Sequence, residues 1–195
     1  MAAKRVLLIQ GHPDPGASHY CHALADAYAE GARDAGHEIR RVQVAALDFP
    51  VLRTREQWES TPPPESIRRC QDDVRWAEHL VIIFPLWLGG LPALLRAFLE
   101  QLFRPGFAFS GSLATGGTKG LRGKSAHVII TMGMPAPVYR WYFGAHSLRS
   151  LERNILKFCG IAPVRDTIVG SVESGGPERH GRWLEKIRAL GRRAR

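Results

Sequence analysis

"RVLLIQGHPDPGASHY", residues 5–20, sets an apolar run directly against a loop crowded with special residues. Val6, Leu7, Leu8 and Ile9 end abruptly at Gln10-Gly11, the pattern of a strand buried on both faces. Gly11, His12, Pro13, Asp14, Pro15 and Gly16 follow, and Ser18 stands where an N-cap would open a helix. A simple reversal needs fewer such residues, so the loop is expected to hold something. A helix start offers unpaired N–H groups and partial positive charge, which together suit an anion. Ser18 Oγ and His12 can add hydrogen bonds to a phosphate there.

Outward from this stretch the chain alternates. Ala23, Leu24, Ala27, Tyr28 and Gly31 recur at helical spacing from Ser18 to Ala35, with Gly36 as the residue past the C-cap. "EIRRVQV" (38–44) alternates like a second strand. A proline-rich loop (60–66) leads to a helix over 65–78, then "HLVIIF" (79–84) reads as a third, buried strand. Leu94, Leu95, Phe98, Leu99, Leu102 and Phe103 form one apolar stripe of a helix over 91–103. Residues 110–123 are glycine-rich and loop-like. "AHVIIT" (126–131) is a fourth strand, followed by a long aromatic loop and a helix ending at Gly160. "DTIVGSV" (166–172) is a fifth strand, and 177–193 a last helix with Trp183, Leu184, Ile187 and Leu190 inward.

Five strands alternating with five helices predict a single α/β domain over residues 1–195, a three-layer α/β/α sandwich around a five-stranded parallel sheet. In the order 2-1-3-4-5 the switch point lies between strands one and three, where ligands bind outside the carboxyl ends. The unusual loops follow strands one, three and four. The second, Pro85-Leu86-Trp87-Leu88-Gly89-Gly90, offers an aromatic and close backbone approach to a flat ring. The third, Thr131-Met132-Gly133, can present backbone N–H groups to an anionic ring edge. Tyr139, Trp141, Tyr142 and Phe143 are too crowded for one helix face to bury, so some are expected in a pocket or interface.

The bulk properties exclude several classes. With 195 residues, 45% apolar and 23% charged, the chain has the composition of an ordinary globular domain. The net charge of +9 favours anionic partners. Arg149, Arg153 and Lys157 fall on one helical face, and the basic tail from about 188 is expected to be solvated. No nucleic-acid reader motif accompanies the charge, and nucleic acid is not expected as a partner. Three cysteines without a C-x-x-C pair fit a reduced, cytoplasmic compartment. No apolar run is long enough to span a membrane, and no signal peptide precedes the first strand. The P-loop, G-x-G-x-x-G and G-x-S-x-G patterns are all absent. His12, His19 and His22 lack further ligands at metal spacing, so no metal is expected.

The stretches "GHPDPGAS", "FPLWLGGLPALLRAFLEQLFRPGFAF" and "TMGMPAPVYRWYFGAHSLRSLERNILKFCG" together resemble the flavodoxin-like NAD(P)H:quinone oxidoreductases, a family that includes flavoprotein partners of bacterial potassium-efflux systems. The resemblance implies a bound flavin, a homodimer, and two-electron reduction of quinones or related aromatic acceptors by NAD(P)H. It implies FMN, with FAD as the alternative, held by His12, Ser18 and His19 at the phosphate, and by Pro85, Leu86, Trp87, Leu88, Thr131, Met132 and Gly133 around the ring. His146 is the candidate for the histidine that assists hydride transfer, with Tyr142 beside it, and Trp87, Phe107 and Phe143 would form a dry stacking surface. The chain departs from the family's P-L-Q-W-x-G pattern, with Trp87 at the glutamine position and Leu88 at the tryptophan position. Phe109 and Gly111 stand where many relatives carry tyrosine. Docking on a membrane transporter is the alternative role the resemblance suggests.

Overall fold

The computed structural model describes residues 2–16, 19–111 and 117–194. Ser18 lies outside the described residues. The chain runs β1 (Arg5–Gln10), α1 (Tyr20–Asp34), β2 (Glu38–Gln43), α2 (Arg55–Glu59), α3 (Glu65–Trp76), β3 (His79–Pro85) and α4 (Ala93–Leu102). It continues through β4 (Phe109–Ser110), β5 (Thr118–Lys119), β6 (Ser125–Thr131), a π-helical segment (Val138–Tyr142) and α5 (His146–Ser150). A second π-helical segment (Leu151–Leu156), α6 (Lys157–Cys159), β7 (Val164–Val169) and α7 (Gly176–Arg193) complete it.

The main sheet is parallel, in the order β2-β1-β3-β6-β7. Because β4 and β5 form only a small separate hairpin, this is the expected 2-1-3-4-5 order of the principal strands. One sheet face packs Leu7, Ile9, Leu80, Ile82 and Phe84 against α3, α4 and the helical stretch from α5 to α6. The other packs Val6, Leu8, Val81, Ile83 and Ile129 against α1 and α7. β1, β3 and β6 are apolar on both faces because both faces are covered.

The α1–α7 contact is unusually close. A Cβ at Gly31 would stand 1.9 Å from the Arg188 carbonyl oxygen, and one at Gly191 would stand 2.1 Å from that of Tyr28. Only glycine lets these two backbones meet. α1 ends as expected at Gly36, whose φ of 79° lets the Gly36 and His37 N–H groups donate to the carbonyls of Arg33 and Ala32.

Several expectations are corrected. The basic tail is helical to Arg193, as the helix over 177–193 predicts, and Arg192 and Arg193 are exposed, but Arg188 pairs with Glu30 and Lys4 Nζ donates to the Ala194 carbonyl. His19 stands at the N-cap of α1, and its side chain makes no capping bond. β7 begins and ends earlier than the expected 166–172. The chain leaves the sheet at Gly170, where Met134–Ala136 crosses so closely that a Cβ would stand 2.4 Å from the Ala136 nitrogen. The glycine-rich stretch contains the β4–β5 hairpin. Within the aromatic loop, Tyr139 turns inward as a buried peg whose hydroxyl accepts the Leu148 N–H at 3.2 Å. Among the described residues no helix is long and apolar enough to cross a membrane.

Candidate functional site

The first two loops meet at the carboxyl ends of β1 and β3. His12 is buried and stacks on His19, with ring centroids 4.0 Å apart. Its other neighbour is the edge of Trp87, at 5.8 Å. His12 Nδ1 lies 3.1 Å from the Asp14 nitrogen and 3.2 Å from the Asp14 carbonyl oxygen, so either tautomer of a neutral ring is tied to this loop. Burial is the main cause that lowers the His12 pKa, and His19 and His22 add repulsion. His12 is therefore neutral at pH 7, and the charge that the sequence allowed it to add is absent. His22 joins the group through Nε2, which donates to the Asp14 carbonyl at 3.1 Å.

Asp14 reveals what this loop favours. Its carboxylate accepts the Gly16 N–H at 2.8 Å and the His19 Nε2–H at 2.7 Å. These two bonds, the backbone one first, hold its carboxyl below the usual range. An exposed anion is thus gripped by a backbone amide and an imidazole just ahead of α1. Beneath it Gln10 uses Oε1 to accept the His12 N–H at 2.9 Å, and its buried Nε2 has no hydrogen-bond partner among the described residues. A buried donor left unpaired is costly, and an acceptor arriving at this loop would relieve it.

The second loop is a two-residue reversal. Trp87 and Gly90 exchange both backbone hydrogen bonds, at 3.1 and 2.8 Å. Leu88 and Gly89 between them have φ of 47° and 73°, the pattern of a type I′ turn. Glycine or asparagine fits such a position, whereas here leucine is forced left-handed and stands fully exposed. Pro85 is buried at the end of β3, and the Leu86 N–H donates to the Thr131 carbonyl at 2.7 Å, tying the second loop to the third.

The third loop contributes less than expected. Met132 is buried in the α3–α4 core and its N–H donates to the Val169 carbonyl, so its part in a binding wall is corrected to a core role. Thr131 is likewise buried in the sheet, with Oγ1 3.1 Å from Cys21 Sγ on α1. Gly133 is exposed and offers the first backbone N–H beyond the strand that no described residue accepts. No sequence motif signals that Glu173 lies beside it, with Oε1 3.2 Å from where a Gly133 Cβ would be. The turn after β7 is thus a fourth wall, reached only through the crossing at Gly170.

Tyr142 and His146 are exposed. Tyr142 is edge-on to Phe143 at 4.9 Å, and the His146 ring folds back over Gly144. Among the described residues, six of the seven exposed large apolar side chains, Trp87, Leu88, Val138, Trp141, Tyr142 and Phe143, belong to the second and third loops. Phe107, expected in the same stacking surface, lies instead under the Arg75 guanidinium, 4.8 Å from its ring, by the C-terminal end of α3. A separate apolar cavity of about 220 Å³ opens among Trp58, Leu99, Phe103, Phe109 and Phe158, with none of the loop residues in its wall.

The comparisons agree with this fold. The FMN-dependent NADH:quinone oxidoreductase of Nitratidesulfovibrio vulgaris is 28% identical over 193 residues, covering 89% of each chain. NAD(P)H dehydrogenase [quinone] 1 of Rattus norvegicus is 26% identical, covering 95% of this chain and 75% of the rat protein. The solved NAD(P)H:quinone oxidoreductase of Methanothermobacter marburgensis superposes with a TM-score of 0.84 at 22% identity, covering 98% of both chains, a likeness of fold. The family described by a flavodoxin-like fold matches residues 4–192, and this chain belongs to it.

Proposed function

We propose that the chain is an FMN-dependent NAD(P)H oxidoreductase that reduces quinones or similar aromatic acceptors. The observation that carries this reading is the donor set gripping Asp14, whose His19 stacks on His12, which in turn meets Trp87 at the switch point of the sheet. The relatives named for FMN-dependent NADH:quinone and NAD(P)H:quinone reactions support it. The residues fit a flavin phosphate: a backbone amide and His19 already hold an anion, His12 stacks on His19 beside it, and Gln10 Nε2 is an unmet donor. FMN, when bound, supplies the hydride-accepting and hydride-donating chemistry.

The chain's own task is to bind, orient and keep dry. His12, His19 and the Gly16 N–H hold the phosphate, and Ser18 joins them. Pro85, Leu86, Trp87 and Leu88 wall one side of the ring, and the Gly133 N–H donates to its polar edge. Trp87 and Phe143 exclude water from the face where nicotinamide and acceptor alternate. Tyr142 and His146 contribute hydrogen bonds to the acceptor once the aromatic loop is covered. That cover is a second copy of the chain: exposed apolar side chains concentrated on two adjoining loops favour a homodimer. Three buried free thiols favour a cytoplasmic setting.

The test is direct. The purified chain, incubated with FMN and desalted, is expected to stay yellow, to bleach on anaerobic NADH or NADPH addition, and to regain colour with a quinone. A protein that retains no flavin overturns the reading. A second reading, docking on a membrane transporter, is favoured by the exposed row Arg149, Arg153 and Lys157. Co-purification with a membrane protein, lost when these three are made glutamine, would separate it from the first.

A further inference from the structure

A second basic site lies at the other end of the sheet. Arg104 is 4% exposed, yet its guanidinium hydrogen-bonds only to the backbone carbonyls of Gln57, Trp58 and Thr61. These bonds explain how Arg104 fastens the segment after α2 to the end of α4. They leave a full charge buried without a carboxylate among the described residues, an arrangement that is costly unless an anion joins it. Burial shifts its pKa downward, with no acid pulling the other way.

Arg104 opens on a cavity of about 270 Å³ that also has Arg75, Phe107 and Glu59 in its wall. A second cavity of about 330 Å³ adjoins it, sharing Arg75 and Phe107 and adding Arg122 and Lys124. Four cations therefore surround one aromatic ring, with Arg75 stacked on that ring. Their counter-charges are few. Arg75 pairs with Asp72, and Glu59, the one acid in either wall, is held by Arg55. Lys124 Nζ donates to the Arg75 and Ala77 carbonyls at the end of α3, and neither it nor Arg122 has an ion-pair partner among the described residues. The wall is folded inward around a buried guanidinium, which suits a compact ligand better than a flat protein surface or a duplex.

We propose that this cleft, formed by Arg104, Arg75, Arg122 and Lys124 around Phe107, binds a small polyanion of the phosphate-ester class. The site is separate from the loop that grips Asp14, since Arg75 ends α3 just before β3 begins and Lys124 immediately precedes β6. The bound oxygens accept from Arg104, Arg122 and Lys124, and the rest of the ligand lies on Phe107.

Calorimetric titration of the full chain with inorganic pyrophosphate, at fixed ionic strength and with FMN in excess, tests this. Binding is expected, and Arg122→Gln with Lys124→Gln should weaken it at least fivefold. Arg149→Gln with Arg153→Gln, which removes the same charge elsewhere, should change it less than twofold. Arg104→Gln should also weaken it, but that change loosens 57–61, so Arg122→Gln alone, at an exposed side chain, is the variant that decides. Absence of binding, displacement of pyrophosphate by FMN, an equal loss in both charge variants, or retention of duplex DNA in place of pyrophosphate would each overturn the proposal.

Discussion

Two sets of three histidines mark the two ends of one sheet, and they do opposite work. At the carboxyl end His12, His19 and His22 crowd within 6 Å of one another, centroid to centroid, around the Asp14 carboxylate and carbonyl. At the amino end His37, His79 and His127 are buried and each is tied to a neighbouring element. His37 accepts the Lys4 N–H and donates to the Arg192 carbonyl, His79 contacts Ser125 Oγ at 2.8 Å, and His127 contacts Thr167 Oγ1 at 2.8 Å. The same side chain is a donor waiting for an anion in one place and a buried rivet in the other. Solvent access and the neighbouring acid make the difference.

The largest expected effect breaks the seal over the amino-end set. Gly31→Ala or Gly191→Ala drives a methyl into a facing carbonyl and must part α1 from α7, at a cost of about 3 kcal/mol. Urea denaturation reads it; a cost under about 1 kcal/mol would mean the helices separate freely. Next comes pH. Burial, with His127 adding repulsion, pushes the His79 imidazole down to about 3. The unfolded chain, with its histidine near 6.5, binds that proton first, so stability should fall as pH drops below 6.5 toward 3, by about 1.4 kcal/mol per unit. Denaturation at a series of pH values should show the slope, and His79→Gln should flatten it. An unchanged slope in that variant assigns the effect to another group.

The carboxyl-end set should respond in ligand affinity instead. His12→Ala is expected to weaken FMN binding about tenfold, near 1.4 kcal/mol, while leaving the His79 part of the acid slope in place. Flavin fluorescence titration checks it, and undiminished affinity would return the loop to a mere reversal. The smallest effect is at the turn beside it. Leu88→Gly should relieve a left-handed leucine and raise stability by about 1 kcal/mol, with slower turnover if the exposed side chain serves the acceptor. A loss of stability would show that the turn is not strained.

The sequence made the sheet legible because β1, β3 and β6 are continuous apolar runs, a pattern that parallel strands covered on both faces require. It carried β7 three residues too far because Thr167, Ile168 and Val169 continue smoothly into Gly170-Ser171-Val172, and only the crossing of Met134–Ala136 ends the pairing. His12 and Trp87 were recognisable from their loops. Asp14, Gln10 and Glu173 were not, since each matters through a partner distant in space or hidden in its hydrogen bonding. Met132 and Phe107 were misplaced for a related reason: an apolar residue beside a special loop looks the same whether it faces a ligand, the core or a cation. The last helix was legible from the spacing of Trp183, Leu184, Ile187 and Leu190, whereas the pairing of Arg188 with Glu30 on α1 was not, since it joins residues far apart in the chain.

The glycine crossing of α1 and α7 also sets an order of assembly. α1 is made early, directly after β1, yet the face it presents is covered by the last helix of the chain. Until residues near 190 leave the ribosome, Leu24, Tyr28 and Ala32 have only the sheet on one side and water on the other. The central strand β1 likewise waits for β3, some 70 residues later. Long-range contacts of this kind slow folding and prolong the exposure of apolar surface. A chain interrupted after β7 would keep its loops and their histidines but lose this cover, and aggregation during synthesis, not loss of chemistry, would be its first failure.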